Sequence, residues 1–222
     1  MSWNDDLQAL RTRFDVAESD FDVAGRTFTL AHPRNGDDLI SEDDYVKDER
    51  LPYWADVWPS SRVLADHIVR HKGHGRRALE LGCGSGLVSC ALASAGYKVT
   101  ATDYYPDATE FTRVNVERNT GRRITSRMVD WRDMPRDLGR FDVVVASDVL
   151  YEHTHGELVS EAILATLDDD GYALIADPGR LSLESFLLSV EEGGMAVTER
   201  WDAPFDDGAT QQSIQLFALK IR

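Results

Sequence analysis

Cysteine is scarce: only Cys83 and Cys90 occur in 222 residues. Two thiols in one short segment are too few for a disulfide framework or for a zinc site with cysteine ligands, and they suit a reducing compartment as small buried groups. Proline is also sparse, at 7 residues, and with 16 glycines and 42% hydrophobic residues the chain is neither low-complexity nor disordered. No apolar run approaches the roughly 20 residues that span a bilayer. The segment Met1 to Leu10 has neither a basic leader nor an apolar core, so no secretory signal is expected and the cytoplasm is the expected compartment. Positive charge is the scarcer sign, with 24 Lys and Arg against 39 Asp and Glu, a net charge of −15. Phosphate backbones and anionic membranes attract cationic surfaces, so neither nucleic acid nor membrane is expected as a partner, and a basic or neutral substrate fits better.

What is present is an alternation of β-rich runs with helical periodicity. Strands are predicted at 76–81, 97–102, 123–129, 141–147, 171–176, 195–201 and 213–221. Helical stripes run through Leu87, Val88, Ala91, Leu92 and Ala95, through Leu158, Ala162 and Ile163, and through Leu183, Phe186, Leu187 and Val190. The last two strands are joined by Asp202 to Gln212, which holds the turn Asp206-Asp207-Gly208 and no helical pattern, so they are expected to form an antiparallel hairpin. The expected fold class is α/β, a doubly wound seven-stranded sheet of five parallel strands plus that hairpin. Asp168-Asp169-Asp170 reads as a solvated loop before the fifth strand.

The domain is expected to span 76–222, with 1–75 an extension covering one end of the sheet. Within the extension a helix is predicted at 4–13 and a short hairpin, Phe14–Asp22 with Arg26–Ala31, around Gly25. An acidic stretch at 37–49 holds seven carboxylates and one Lys. A helix from Pro59 to His71 follows, with Pro59 in its first turn and Val63, Leu64 and Ile68 on its buried side. His67, His71 and His74 read as a solvated helix end, and no metal site is expected.

The first core strand runs into Glu80-Leu81-Gly82-Cys83-Gly84-Ser85-Gly86 at the point where a helix begins. Glycines there let a ligand approach the backbone and meet the amides of the helix start. Asp103 closes the second core strand, 21 residues after Gly82, the spacing at which a carboxylate meets ribose hydroxyls in nucleotide-binding sheets. Gly86 follows Gly84 by two residues, where a dinucleotide motif needs three, and Glu80 would repel a pyrophosphate while suiting an ammonium. S-adenosylmethionine is therefore the expected cofactor.

The segment Pro52-Tyr53-Trp54-Ala55-Asp56-Val57-Trp58-Pro59-Ser60-Ser61, the glycine turn, Asp103, Asp130-Trp131 and Ser147-Asp148-Val149-Leu150-Tyr151 together resemble the seven-strand protein-lysine methyltransferases. Within them the similarity is greatest to the branch that includes the electron-transfer-flavoprotein β-subunit enzyme. The resemblance implies a Rossmann-like methyltransferase fold and a donor site in which Trp58 covers S-adenosylmethionine, Gly82, Cys83 and Gly84 line its methionyl part, and Asp103 holds the ribose. It also implies that Trp131 packs near adenine, that Ser147 touches the donor, and that Asp148 and Tyr151, the D-x-x-Y pair, meet the substrate. A basic or lysine-presenting protein is the expected partner. The long acidic N-terminal part and Asp177-Pro178-Gly179-Arg180 depart from that pattern.

Plainer readings stand beside these. Asp148 also suits the cap of the helix after the fourth core strand. Tyr151 suits ordinary packing, as do Trp54, Trp58 and Trp131. His153 and His155 read as exposed helix-start residues, with a proton relay as the alternative. A small-molecule N-methyltransferase acting on an amine or a nicotinamide-like compound shares the sheet and the glycine turn, and so does a non-catalytic donor-binding partner subunit. A nucleic-acid enzyme is disfavoured by the charge and by the lack of an N/D-P-P-Y type motif.

Overall fold

The computed structural model describes residues 2–39 and 51–222. Most of the acidic stretch 37–49 lies outside the described residues. Helix α1 (Trp3–Arg13) starts at Ser2, whose hydroxyl accepts the Asp5 N–H while the Asp5 carboxylate accepts the Ser2 N–H. Strands β1 (Val16–Val23) and β2 (Arg26–Pro33) form an antiparallel hairpin turning at Ala24-Gly25. Helix α2 (Pro59–Val69) has Pro59 in its first turn, where the missing N–H costs nothing. It ends before His71, and His74 takes a left-handed backbone, so the three histidines share no continuous helical face.

The main sheet contains β3 (Arg77–Leu81), β4 (Lys98–Asp103), β5 (Thr125–Met128), β6 (Phe141–Ser147), β7 (Leu167–Asp177), β8 (Met195–Asp206) and β9 (Gln211–Ile221) in the order β5-β4-β3-β6-β7-β9-β8. Strands β3 to β7 are parallel, β9 runs antiparallel to β7, and β8 antiparallel to β9. Four helices complete the layers: α3 (Leu87–Ala95), α4 (Pro106–Thr120), α5 (His155–Thr166) and α6 (Leu183–Glu192).

Successive strand residues face opposite sides, and the core divides accordingly. Ala78, Val143, Val145 and Leu174 pack with Leu64 and Ile68 of α2 and with Leu87, Val88 and Leu92 of α3. Their neighbours Leu79, Val144, Ala173 and Ile175 pack with Val159 and Ile163 of α5 and with Phe186 and Val190 of α6. The sheet is thus covered on both faces, which is why the middles of its central strands, Ala78–Leu79, Val143–Ala146 and Ala173–Ala176, are apolar on both sides.

Three elements differ from the sequence expectation. Helix α4 is not announced by an apolar stripe, because its buried side mixes Phe111 and Val114 with Thr109, Thr112 and Asn115. Residues Asp168 to Asp170 are part of β7 rather than a loop; a register shift accommodates them, and Asp168 pairs with Arg77 at 2.8 Å. The C-terminal hairpin is longer than expected, because Trp201, Ala203 and Phe205 alternate inward against the core and carry β8 on to Asp206. The remaining turn is held by Asp207, whose carboxylate accepts the Ala209 and Thr210 N–H groups.

Candidate active site

The connections part at the carboxyl end of β3, since β4 and β5 lie to one side of it and β6 and β7 to the other. Such a switch point leaves a crevice outside the strand ends. A cavity of about 610 Å³ occupies it. Its floor includes Glu80, Gly82, Cys83, Gly84 and Asp103, and its walls include Trp58, Trp131, Ser147, Asp148 and Tyr151, so all ten sequence-predicted site residues face one space.

The glycine turn is shaped by the protein's own packing. Gly82 has φ +72°, and a Cβ there would lie 2.8 Å from Val149 Cγ1. Gly86 has φ +89°, and a Cβ there would lie 2.8 Å from Thr112 Cα on α4. Both positions therefore need glycine for the loop after β6 and for α4 to close on the turn. Asp103 Oδ2 accepts the Gly84 N–H at 2.9 Å and its Oδ1 the Tyr105 N–H at 3.0 Å, tying the turn to the end of β4.

Glu80 is 2% exposed and accepts a hydrogen bond from the Ser89 hydroxyl. Burial pushes its carboxyl up to about 8, so at pH 7 it is mostly neutral, in contrast to the fixed anion that the sequence suggested. Burial likewise raises the Cys83 thiol well above its usual range, which leaves it protonated and unreactive. Trp54 belongs to the core beside Phe111, with ring centroids 5.6 Å apart.

At the mouth, Asp148 does not cap a helix, since α5 begins only at His155. Its side chain is 3% exposed and its backbone is left-handed, at φ +59°. Oδ2 accepts from Ser60 Oγ at 2.9 Å, and Oδ1 accepts from Arg180 Nε at 2.6 Å. The Arg180 guanidinium also stands 5.2 Å from the centroid of the Trp58 ring.

Aromatic rings line the same opening in an unbroken series. Trp58 meets Tyr53 at 5.9 Å, Tyr53 meets Tyr151 at 5.3 Å, Tyr151 meets His155 at 4.8 Å and His155 meets Trp131 at 5.3 Å. His155 is buried rather than exposed, because the loop after β6 folds back over it. Its Nδ1 lies 2.7 Å from the Val149 carbonyl oxygen and its Nε2 3.3 Å from Glu152 Oε2. His153 is exposed, as the sequence suggested.

Sequence reasoning missed Tyr53, Ser60 and Arg180 as members of this site. Tyr53 and Ser60 stood inside the tryptophan-proline segment without a signal of their own. Arg180 was marked only by an unassigned turn sequence.

Comparison with known proteins adds relatives to this geometry. The protein-lysine methyltransferase METTL21E of Mus musculus is 32% identical over 155 residues, covering 64% of this chain and 62% of that protein. The electron transfer flavoprotein beta subunit lysine methyltransferase of Danio rerio is 29% identical over 140 residues, covering 60% of this chain and 52% of that protein. The chain thus spans roughly half to three fifths of the length of these curated relatives. The crystal structure of a TehB-like SAM-dependent methyltransferase from Corynebacterium glutamicum superposes with a TM-score of 0.57 at 19% identity, over 81% of this chain and 97% of that one, which shows the shared fold. Residues 47–190, which include the aromatic segment, the glycine turn and the D-x-x-Y pair, match the lysine methyltransferase family, and the chain belongs to it.

Proposed function

We propose that this protein is a protein-lysine N-methyltransferase that draws its methyl group from S-adenosylmethionine and acts on a basic, lysine-presenting protein in the cytoplasm. The observation that carries the reading is the convergence of the glycine turn, Asp103 and the D-x-x-Y pair on one cavity of about 610 Å³. Its chemistry suits a cationic adenosyl compound. The volume lies within the range of small-molecule sites, two carboxyl groups stand on its floor, and the Trp131 indole N–H is buried without a protein partner among the described residues. The names of the relatives support lysine as the acceptor.

In this reading Gly82, Cys83 and Gly84 line the methionyl part of the donor, Glu80 receives its ammonium, Asp103 holds the ribose, and Trp131 packs near adenine. Ser147 adds a contact beside β6, and Trp58 covers the donor from the N-terminal side. The bound donor supplies a sulfonium methyl group for in-line transfer, so the protein's task is alignment in a dry pocket. A lysine must also be neutral to attack, which at pH 7 costs about 4.6 kcal/mol from its ordinary pKa. Asp148 holds the arriving ammonium, while Tyr53 and Tyr151 exclude water from the channel. Desolvation beside the donor's positive charge lowers the lysine pKa against the opposing pull of Asp148, and the proton leaves through solvent.

Incubation of cell lysate with the purified protein and isotopically labelled donor tests the assignment by mass spectrometry. Label is expected on lysine side chains of protein; label confined to small amines, or none, overturns the proposal. Asp148→Asn is expected to lower turnover roughly 100-fold, the scale of lost alignment, while donor affinity measured by calorimetry stays within about twofold.

A further inference from the structure

The turn after β7 directs a cation into the mouth of the cavity. Asp177 ends the strand, and its Oδ1 accepts the N–H groups of Gly179 and Arg180, both at 2.7 Å. Pro178 and Gly179, the latter at φ +97°, complete a tight turn that sends the Arg180 side chain back over Asp148. There the guanidinium meets a carboxylate at 2.6 Å and an indole face at 5.2 Å. A buried anion beside an aromatic face is a binding arrangement for a cation.

We propose that Arg180 is a stand-in for the substrate: it fills the cation position built by Asp148 and Trp58, and the lysine ammonium enters by displacing it. This rests on the lysine-methyltransferase reading and assigns to the same site a residue that sets which side chains enter. The two partners differ in how freely they can move. The Asp148 side chain is 3% exposed and is fixed by Ser60 as well, whereas Arg180 is 35% exposed. Arg180 can swing into water at little cost, but Asp148 cannot be left alone, because an unpaired buried charge is strongly unfavourable. Exchange of one cation for another keeps Asp148 paired throughout. A neutral side chain of similar length offers no such exchange, so Arg180 screens against it.

The test uses the full-length protein loaded with S-adenosylhomocysteine and n-butylammonium as the probe of the cation position, followed by calorimetry or NMR titration. Arg180→Ala is expected to bind the probe about tenfold more tightly than the unaltered protein, since the internal competitor is gone. Arg180→Lys keeps a competing cation and is expected to stay near the unaltered affinity. Adding Asp148→Asn to Arg180→Ala is expected to abolish the gain. A simple loss of structure would not produce that pattern, and S-adenosylhomocysteine affinity reports whether each variant is folded. Unchanged or weaker probe binding in a folded Arg180→Ala overturns the proposal, because Arg180 would then be a fixed support for Asp148. Failure of the lysine-methyltransferase reading has a separate signature, the absence of label on protein lysines in the unaltered enzyme.

Discussion

Glu80 carries a carboxyl at about 8 in a position where the proposed donor brings an ammonium. Because folding raises this pKa above its ordinary 4.5, the fold favours the protonated form. That contribution to stability is complete below about pH 4.5 and is lost as pH rises through about 8. An arriving cation reverses the preference and expels the proton. Donor binding at pH 7 is therefore expected to release about one proton, read by calorimetry in buffers of different protonation enthalpy. Glu80→Gln should abolish the release and flatten the fall in ligand-free stability between about pH 5 and 8. Binding heats that do not depend on the buffer in the unaltered protein would show that Glu80 does not meet the ammonium. At this scale the site was legible where a residue's place follows from a strand end. Asp103 and the glycine turn are of that kind, because a parallel strand delivers its last residues to the ligand edge. Ser60 was not, since it reaches Asp148 across 88 residues of sequence, and nothing in a serine at a helix start announces so distant a partner.

Helix α4 joins the N-terminal hairpin to the sheet through two asparagines. Asn115 Oδ1 accepts the Ala31 N–H, and its Nδ2 donates to the carbonyls of Ala31 and Ser85, all between 2.8 and 2.9 Å. One turn later Asn119 repeats the arrangement on Thr29, accepting its N–H and donating to its carbonyl, each at 2.9 Å. The two amides act as a surrogate strand against the edge of β2, which would otherwise bury unpaired backbone groups. Asn115→Ala removes three buried hydrogen bonds and is expected to cost about 3 kcal/mol, or roughly 6–12 °C in Tm. Thermal unfolding no different from that of an exposed control substitution would refute this role. The same chemistry explains why α4 was hidden in the sequence while the other helices of the main domain were readable. Helices α3, α5 and α6 bury apolar stripes whose 3.6-residue spacing is visible, whereas α4 buries Thr112 and Asn115 as polar partners of the glycine turn and of β2. Periodicity detects helices that pack by apolar contact and overlooks those that pack by hydrogen bonds. The central strands β6 and β7 were legible for the complementary reason: burial on both faces leaves continuous apolar runs, Val143–Ala146 and Ala173–Ala176, that no amphipathic helix produces.

The whole molecule sets the approach of the substrate. Five parallel strands and an antiparallel hairpin place the glycine turn, Asp103 and Asp148 on one edge of the sheet, while α5 and α6 close the opposite face from that of α2 and α3. The site therefore opens at a rim where Tyr53 and Tyr151 are partly exposed. Around it the chain carries a net charge of −15, and such a field draws cationic partners toward the surface and repels anionic ones. Attraction of this kind acts over distances that salt shortens, to about 8 Å at physiological ionic strength and less above it. Two lysine substrates separate the field of the molecule from the chemistry of its site: a strongly basic polypeptide, and a peptide with a single lysine and no net charge. Between about 50 mM and about 300 mM salt the KM of the first is expected to rise several-fold while kcat holds, because only encounter is weakened. The KM of the second should change little, since in the proposed reading its ammonium meets Asp148 inside the cavity, where mobile ions do not screen the pair. Equal responses from the two peptides would mean that the acidic surface keeps the protein dispersed and takes no part in choosing what it methylates.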